Sequence, residues 1–142
     1  MKSVDLTRRS TLNASELAAE RYVLLTTFRK NGEGVATAVW IAALADGSLG
    51  FTTGGDSGKV KRIRNSSRVL LQPCDMRGRI TAGSTPTEAT ARTVEGAECA
   101  PVTKAIRKKY GYQYVLVDLS GRFSALFRRR RVADAGVIIT IP

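Results

Sequence analysis

The stretch from Val35 to Ala45 is eleven residues long and apolar except for Thr37, and it limits what this chain can fold into more than any other segment. At about 20 apolar residues per bilayer crossing it is too short to span a membrane, so it reads as a buried strand and no membrane insertion is expected. Read with a period of two, it puts Val35, Val39 and Ile41 on one side and Ala36, Ala38, Trp40 and Ala42 on the other. Neither face looks solvated. A small antiparallel barrel lines its interior with one face only, so the other needs a helix, a ligand or a second subunit over it. A subunit interface is the reading taken here, with cover by the chain's own helices as the alternative.

The flanking segments are also rich in strand signals. Tyr22 to Phe28 (YVLLTTF) is aromatic and β-branched, and the Asn-Gly pair within Arg29 to Gly34 turns it into a hairpin with the strand Val35 to Leu44. Ala45-Asp46-Gly47 leads to a third strand, Ser48 to Thr53, and the three predict an antiparallel meander. Further strands are expected at Arg68 to Cys74, more weakly around Arg79 to Ala82 and Ala89 to Glu95, and finally at Gly136 to Ile141. Three short helices punctuate them: Ala14 to Arg21 with Asn13 as N-cap, one near Ser57 to Asn65, and one opening at Pro101 and stopped by Gly111. Tyr112 to Phe127 reads equally as strand or helix. The whole predicts a mainly β chain with a few short helices, a single domain over residues 1–142 with an N-terminal helix.

Composition excludes much chemistry. The sequence contains no histidine, which removes Ser-His-Asp and Cys-His catalysis, His-ligated metal and haem on a proximal His. Its two cysteines, Cys74 and Cys99, form no CxxC, so no metal site is expected and the thiols read as reduced, in a cytoplasmic chain. Arg8-Arg9 is not followed by the apolar region a twin-arginine export signal needs.

Lys and Arg number 23 against 12 Asp and Glu, a formal charge of +11 that asks for an anionic partner. The excess is concentrated. Residues 57–79 hold seven cations and one acid, and residues 104–131 hold nine and one. In the first segment Ser57-Gly58-Lys59-Val60-Lys61-Arg62 opens a helix after a strand and a glycine-rich loop, so backbone N–H groups, the Ser57 hydroxyl and the Lys59 ammonium can converge on one phosphate. A solvated basic helix is the plain alternative. It is no Walker loop, because Thr53 and Val60 stand where that motif needs glycine and a magnesium-holding hydroxyl. The run Arg128 to Arg131 reads as a mainly exposed patch, and Tyr110, Tyr112 and Tyr114 as packing and interface residues.

Taken together, Tyr22-Val-Leu-Leu-Thr-Thr-Phe-Arg-Lys-Asn-Gly, Val35-Ala-Thr-Ala-Val-Trp, Ser57-Gly-Lys-Val-Lys-Arg-Ile-Arg-Asn and Arg68-Val-Leu-Leu-Gln-Pro-Cys-Asp-Met-Arg-Gly-Arg resemble the pyridoxamine 5′-phosphate oxidase-like split β-barrel superfamily. More narrowly they resemble its flavin/deazaflavin oxidoreductases that use coenzyme F420. The resemblance is specific over about residues 20–80 and loose beyond, and Ala38 stands where many members have proline. It implies a homodimeric, FMN-binding-like split barrel with cofactor sites at the subunit interface. It further implies that Thr37, Ala38, Val39 and Trp40 line the tricyclic ring, largely through backbone groups. Thr52 and Thr53 would flank the ribityl-phosphate arm. Ser57, Gly58, Lys59 and Lys61 would hold the phosphate, and Arg62 and Arg77 would meet the anionic tail.

The activity so implied is hydride transfer between the reduced deazaflavin and a conjugated small-molecule substrate, with no side chain assigned a catalytic role. A histidine-free chain suits chemistry that a cofactor supplies while the protein binds and orients it. Two alternatives stay open: an FMN-binding oxidoreductase on the same fold, and, in a different class, a basic nucleic-acid-binding domain. The latter ranks lower, since the sequence has no helix-turn-helix and no basic-aromatic groove motif.

Overall fold

The computed structural model describes residues 12–111 and 135–142. Helix α1 (Ala14–Ala18) is set by Asn13, whose side chain accepts from Glu16 N while the Glu16 carboxylate accepts from Asn13 N, a reciprocal cap. It is shorter than the expected span to Arg21 and buries Leu17. Strands β1 (Tyr22–Phe28) and β2 (Gly34–Val39) form the predicted hairpin, closed by the Arg29 N to Glu33 O and Gly32 N to Arg29 O bonds with Gly32 at φ +90°. Only glycine takes that conformation without strain, which is why Asn31-Gly32 carried the turn signal.

The chain then departs from the expected meander. It leaves the ladder after Val39, and only Ala42–Ala43 (β3) returns to strand, paired with β4 (Leu49–Thr53) and not with β2. β4 pairs in turn with β7 (Ala135–Thr140). The cause lies in the helix α3 (Ala100–Tyr110). The Tyr110 hydroxyl accepts from Ile41 N at 3.0 Å, and Lys109 Nζ donates to Ile41 O at 2.6 Å, so the backbone groups that would continue the strand are taken by side chains. A continuous strand from Val35 to Leu44 is therefore broken at its middle.

Helix α2 (Gly58–Asn65), β5 (Arg68–Cys74) and β6 (Thr87–Glu95) complete the sheet, whose order is β2-β1-β5-β6-β7-β4-β3 with every neighbouring pair antiparallel. β2 and β3 lie at opposite ends of that order, yet Trp40 and Ile41 alone join them. Two extended residues reach about 7 Å, so the sheet must curl until its edges meet. The sheet is thus a barrel split between β2 and β3. The expected strand around Arg79 to Ala82 reduces to one bridge, Cys74 to Ile80. Both the Tyr112 to Phe127 segment and the Arg128 to Arg131 run fall outside the described residues.

Inside the barrel lie Val23, Leu25, Ile41, Phe51, Val69, Leu71, Val137 and Ile139, all at most 1% exposed. α3 packs on β3, β4 and β7 with Val102, Ile106 and Tyr110, spaced four apart on one helix face. A Cβ on Gly50 would sit 3.0 Å from Val102 Cγ1, so that glycine lets α3 lie close on β4. Among the described residues no helix is long and apolar enough to cross a membrane.

Tyr110 ties this arrangement together: it also donates to Arg21 O at 2.8 Å and stacks on Trp40 with ring centroids 4.4 Å apart. Tyr110→Phe keeps the ring and leaves the Ile41 N–H buried without its acceptor. Urea unfolding should show a loss of about 1–3 kcal/mol, the usual consequence of one orphaned buried donor. No measurable loss would mean that the split at Ile41 is held by packing alone.

Candidate functional site

The conspicuous concentration of unneutralised charge lies on α2, reached from β4 through the turn Gly54 to Ser57, in which Ser57 N donates to Gly54 O. Ser57 caps the helix: its Oγ accepts from Val60 N at 3.3 Å and from Thr53 Oγ1 at 3.2 Å. With both acceptor positions used, the serine's own proton is left to donate elsewhere. The N–H groups of Gly58 and Lys59, in the first turn, have no intrahelical acceptor. Three donors thus converge where the strand end, the turn and the helix meet.

Lys59 is half-buried, and burial together with the nearby Arg62 cation lowers its pKa from the ordinary 10.5. No carboxylate among the described residues pairs with it. An ammonium that loses hydration beside a second cation, with no acidic partner for either among the described residues, is a local electrostatic penalty that an anion relieves. The residues therefore fit a phosphate group on their own chemistry. The exposed carboxylate of Asp56 precedes the helix and points back to Gly54.

Arg62 is fixed where the sequence left it free. Its Nε donates to the Oγ1 of Thr27, a fully buried residue of β1, at 2.6 Å. Lys61 is exposed one residue before it. The structure thus groups Thr53, Ser57, Gly58, Lys59, Lys61 and Arg62, with Thr52 one residue upstream on β4. Thr27 was missed by sequence reasoning, although a threonine in the inward register of Val23 and Leu25 was a visible signal.

The remaining expected site residues lie elsewhere. Thr37, Ala38 and Val39 are on β2, whose outer edge pairs with no strand among the described residues, so alternate backbone groups there remain open to a ligand or a second copy. The Thr37 hydroxyl is covered and has no hydrogen-bond partner, so that residue can offer a ligand its backbone but not its oxygen. Trp40 is engaged by Tyr110. Arg77 belongs to the loop after β5, ordered by Asp75, whose carboxylate accepts from Arg77 N and Arg79 N. Arg62 meets β1 near the start of β5 and Arg77 follows its end, roughly 17–20 Å away at strand rise, so one chain does not bring the two arginines together.

The face of β1, β2 and β5 turned away from the barrel carries apolar residues around Thr26 and Gln72 and is incompletely covered among the described residues. Leu24, Ala38 and Leu70 are half-buried and Ala36 is exposed, and Met76 and Ile80, at 67% and 54% exposure, extend the patch beside the Arg77 loop. The chain's own helices do not cover it among the described residues. Cys74 is buried with its thiol pushed up to about 11, and Tyr110 is pushed up to about 12, so neither exchanges protons near neutral pH.

No protein-family model matches this chain, and no curated protein matches it in sequence. Solved structures share its fold. A conserved hypothetical protein of Mycobacterium tuberculosis is similar with a TM-score of 0.60 at 23% identity, over 90% of this chain and 77% of that one. An F420 reductase is similar with a TM-score of 0.53 at 18% identity, over 92% of each chain. A pyridoxamine 5′-phosphate oxidase-related, FMN-binding protein of Nostoc punctiforme gives 0.52 at 13% identity, over 99% and 78%. The heme storage protein of Vibrio cholerae, with a TM-score of 0.57 at 10% identity over 90% and 86%, has the fold as well. At these identities the likeness is one of fold, and chemistry has to be argued from the site.

Since Lys59 must carry its charge to hold an anion, binding of inorganic phosphate at α2 should weaken as pH rises through the lowered Lys59 pKa, at a lower pH than an ordinary lysine would give. Calorimetric titrations from neutral to alkaline pH measure this. In Lys59→Met the alkaline weakening should disappear, and its persistence would assign the effect to another cation.

Proposed function

We propose that this chain, which has the pyridoxamine 5′-phosphate oxidase-like split-barrel fold, is an oxidoreductase using coenzyme F420 at a site between two copies. The observation that carries the reading is the half-buried Lys59, without an acidic partner among the described residues, beside the Ser57 cap: a position suited to one phosphate, at the end of a strand, on a fold shared with an F420 reductase. When bound, the deazaflavin supplies hydride transfer to a conjugated small-molecule substrate. Everything else is the protein's work of holding and orienting.

Ser57 Oγ–H and the N–H groups of Gly58 and Lys59 would donate to the phosphate, with the Lys59 charge opposite. Thr52 and Thr53 flank the arm leading from it, and the open edge of β2 from Thr37 to Val39 offers backbone groups to a ring. The apolar face of Leu24, Ala36, Ala38 and Leu70 is the proposed dimer surface. Dimerisation there excludes water from the site and lets Arg77 of a second copy approach a cofactor whose phosphate lies on α2, a reach that one chain lacks.

FMN carries the same phosphate on the same ribityl arm, and the FMN-binding relative in fold makes it the second reading. Purified protein should quench or polarise F420 fluorescence at micromolar concentration or below, on the order expected for a phosphate cradle with further charge contacts. Lys59→Ala should weaken this by about 1.5–3 kcal/mol while the melting temperature of the empty protein holds or rises. Tight FMN in the purified protein, with no response to F420, would replace one cofactor by the other.

Light scattering should report about twice 15.3 kDa. Ala38→Glu, placing a charge on the proposed interface, should shift it to the monomer and abolish cofactor binding. A wild-type monomer at micromolar concentration would remove the second wall of the site.

A further inference from the structure

Along the side of α2 facing the β1–β2 turn runs a slot of about 290 Å³ lined by Arg29, Lys30, Gly58, Lys61, Arg62 and Asn65. It continues past Lys30 and Asn65 into a recess of about 360 Å³ that reaches Phe28 and Arg68. Only Arg29 and Arg68 of these cations have an acidic partner, Glu33 at 3.4 Å and Glu88 at 3.3 Å, both across exposed surface. Lys30, Lys61 and Arg62 have none among the described residues.

Within this slot Arg62 is held by two features unrelated to helix formation. Its Nε proton is taken by Thr27 Oγ1, which leaves the terminal Nη groups as its free donors. Those groups lie over Gly58, where a Cβ would come within 2.7 Å of Nη1. Gly58 is the first helical residue and has no positive φ that would call for glycine, and its missing Cβ leaves the room that the end of the guanidinium occupies. A guanidinium fixed at Nε presents a preset fork, the geometry that matches a carboxylate or phosphate with two hydrogen bonds.

We infer that Thr27 and Gly58 are positioning residues that hold Arg62 as the anchor of a second anion position, in the slot between the β1–β2 turn and α2, for a carboxylate or phosphate group other than the one at Ser57 and Lys59. The anion position stands on this geometry alone. Its assignment to a second anionic group of the same ligand rests on the cofactor reading above.

The test uses the full chain labelled with ¹⁵N at arginine, with citrate and inorganic phosphate as probes. The Arg62 Nε–H resonance should be resolved and slow to exchange before any addition, and citrate should shift it. Thr27→Val should lose that resonance and weaken citrate binding about tenfold, the usual worth of one hydrogen bond to a charged group, and Thr27→Ser should restore both. Gly58→Ala should move the same resonance and weaken citrate while leaving the melt unchanged or higher, because alanine favours the helix. That variant decides the question even if Thr27→Val folds poorly. Unchanged citrate affinity in Gly58→Ala and Thr27→Val, or a citrate response confined to the Ser57 to Lys59 amides, overturns the proposal. A citrate shift at Arg62 in a protein that ignores F420 supports the anion position and overturns the cofactor reading. Unaltered F420 affinity in Thr27→Val, with citrate binding lost, overturns the assignment of both positions to one ligand.

Discussion

Ile41 is the residue on which the architecture depends. Its N–H and C=O are both satisfied by the last turn of α3, through the Tyr110 hydroxyl and the Lys109 ammonium, at a point where a strand would otherwise run on. Buried backbone groups must find partners somewhere, and supplying them from side chains lets the chain leave one edge of the sheet and join the other within two residues. The barrel's split follows from that break, and with it the place of β2 at an edge that pairs with no further strand among the described residues. The arrangement has an electrostatic penalty. Lys109 also donates to Glu20 O at 2.6 Å, and burial brings its pKa down to about 8. The folded state therefore binds fewer protons than the unfolded state between about pH 8 and 10.5, and this residue's contribution to stability rises with pH across that window.

A second compromise sits on α2. The helix has no acid in its first turn, a glycine at its first position and a lysine beside it, each a poor choice for a helix standing alone. Val60 and Ile63, buried against the core, anchor it regardless of those choices. Packing thus holds the helix in place while its polar face is free to be unfavourable. Local unfavourability concentrated on one face, with the core side intact, is what a ligand site looks like from the standpoint of folding energetics.

Much of this was legible in the sequence, and the exceptions have physical reasons. Strand β5 has the predicted bounds, and the Asn31-Gly32 turn, the Asn13 cap, the helix opening near Ser57 and the Gly111 stop all agree, because each is a local signal with a local cause. The meander did not survive, because the break at Ile41 is made by residues 68 and 69 positions away in sequence, and no pattern within Val35 to Leu44 encodes it. That Thr53, Ser57 and Lys59 lie together was readable since they are neighbours in sequence. Thr27 was not, because its meaning appears only when α2 folds over β1. Arg77 sat close to Arg62 in number and far from it in space, since a full strand intervenes.

Chemically, the chain is notable for what it withholds. The sequence has no histidine; burial brings Lys109 down to about 8, while the Cys74 thiol and the Tyr110 hydroxyl are pushed up to about 11 and about 12. Lys109 has both its backbone carbonyl partners in place and a structural task. Lys59 has its charge required for any anion it holds. The described groups suit the proposed role of holding and orienting a reactive cofactor. The proposed second copy has the same rationale: among the described residues the edge of β2 and the apolar patch beside it lie along the surface, and under that proposal a second wall would make them the interior of a site.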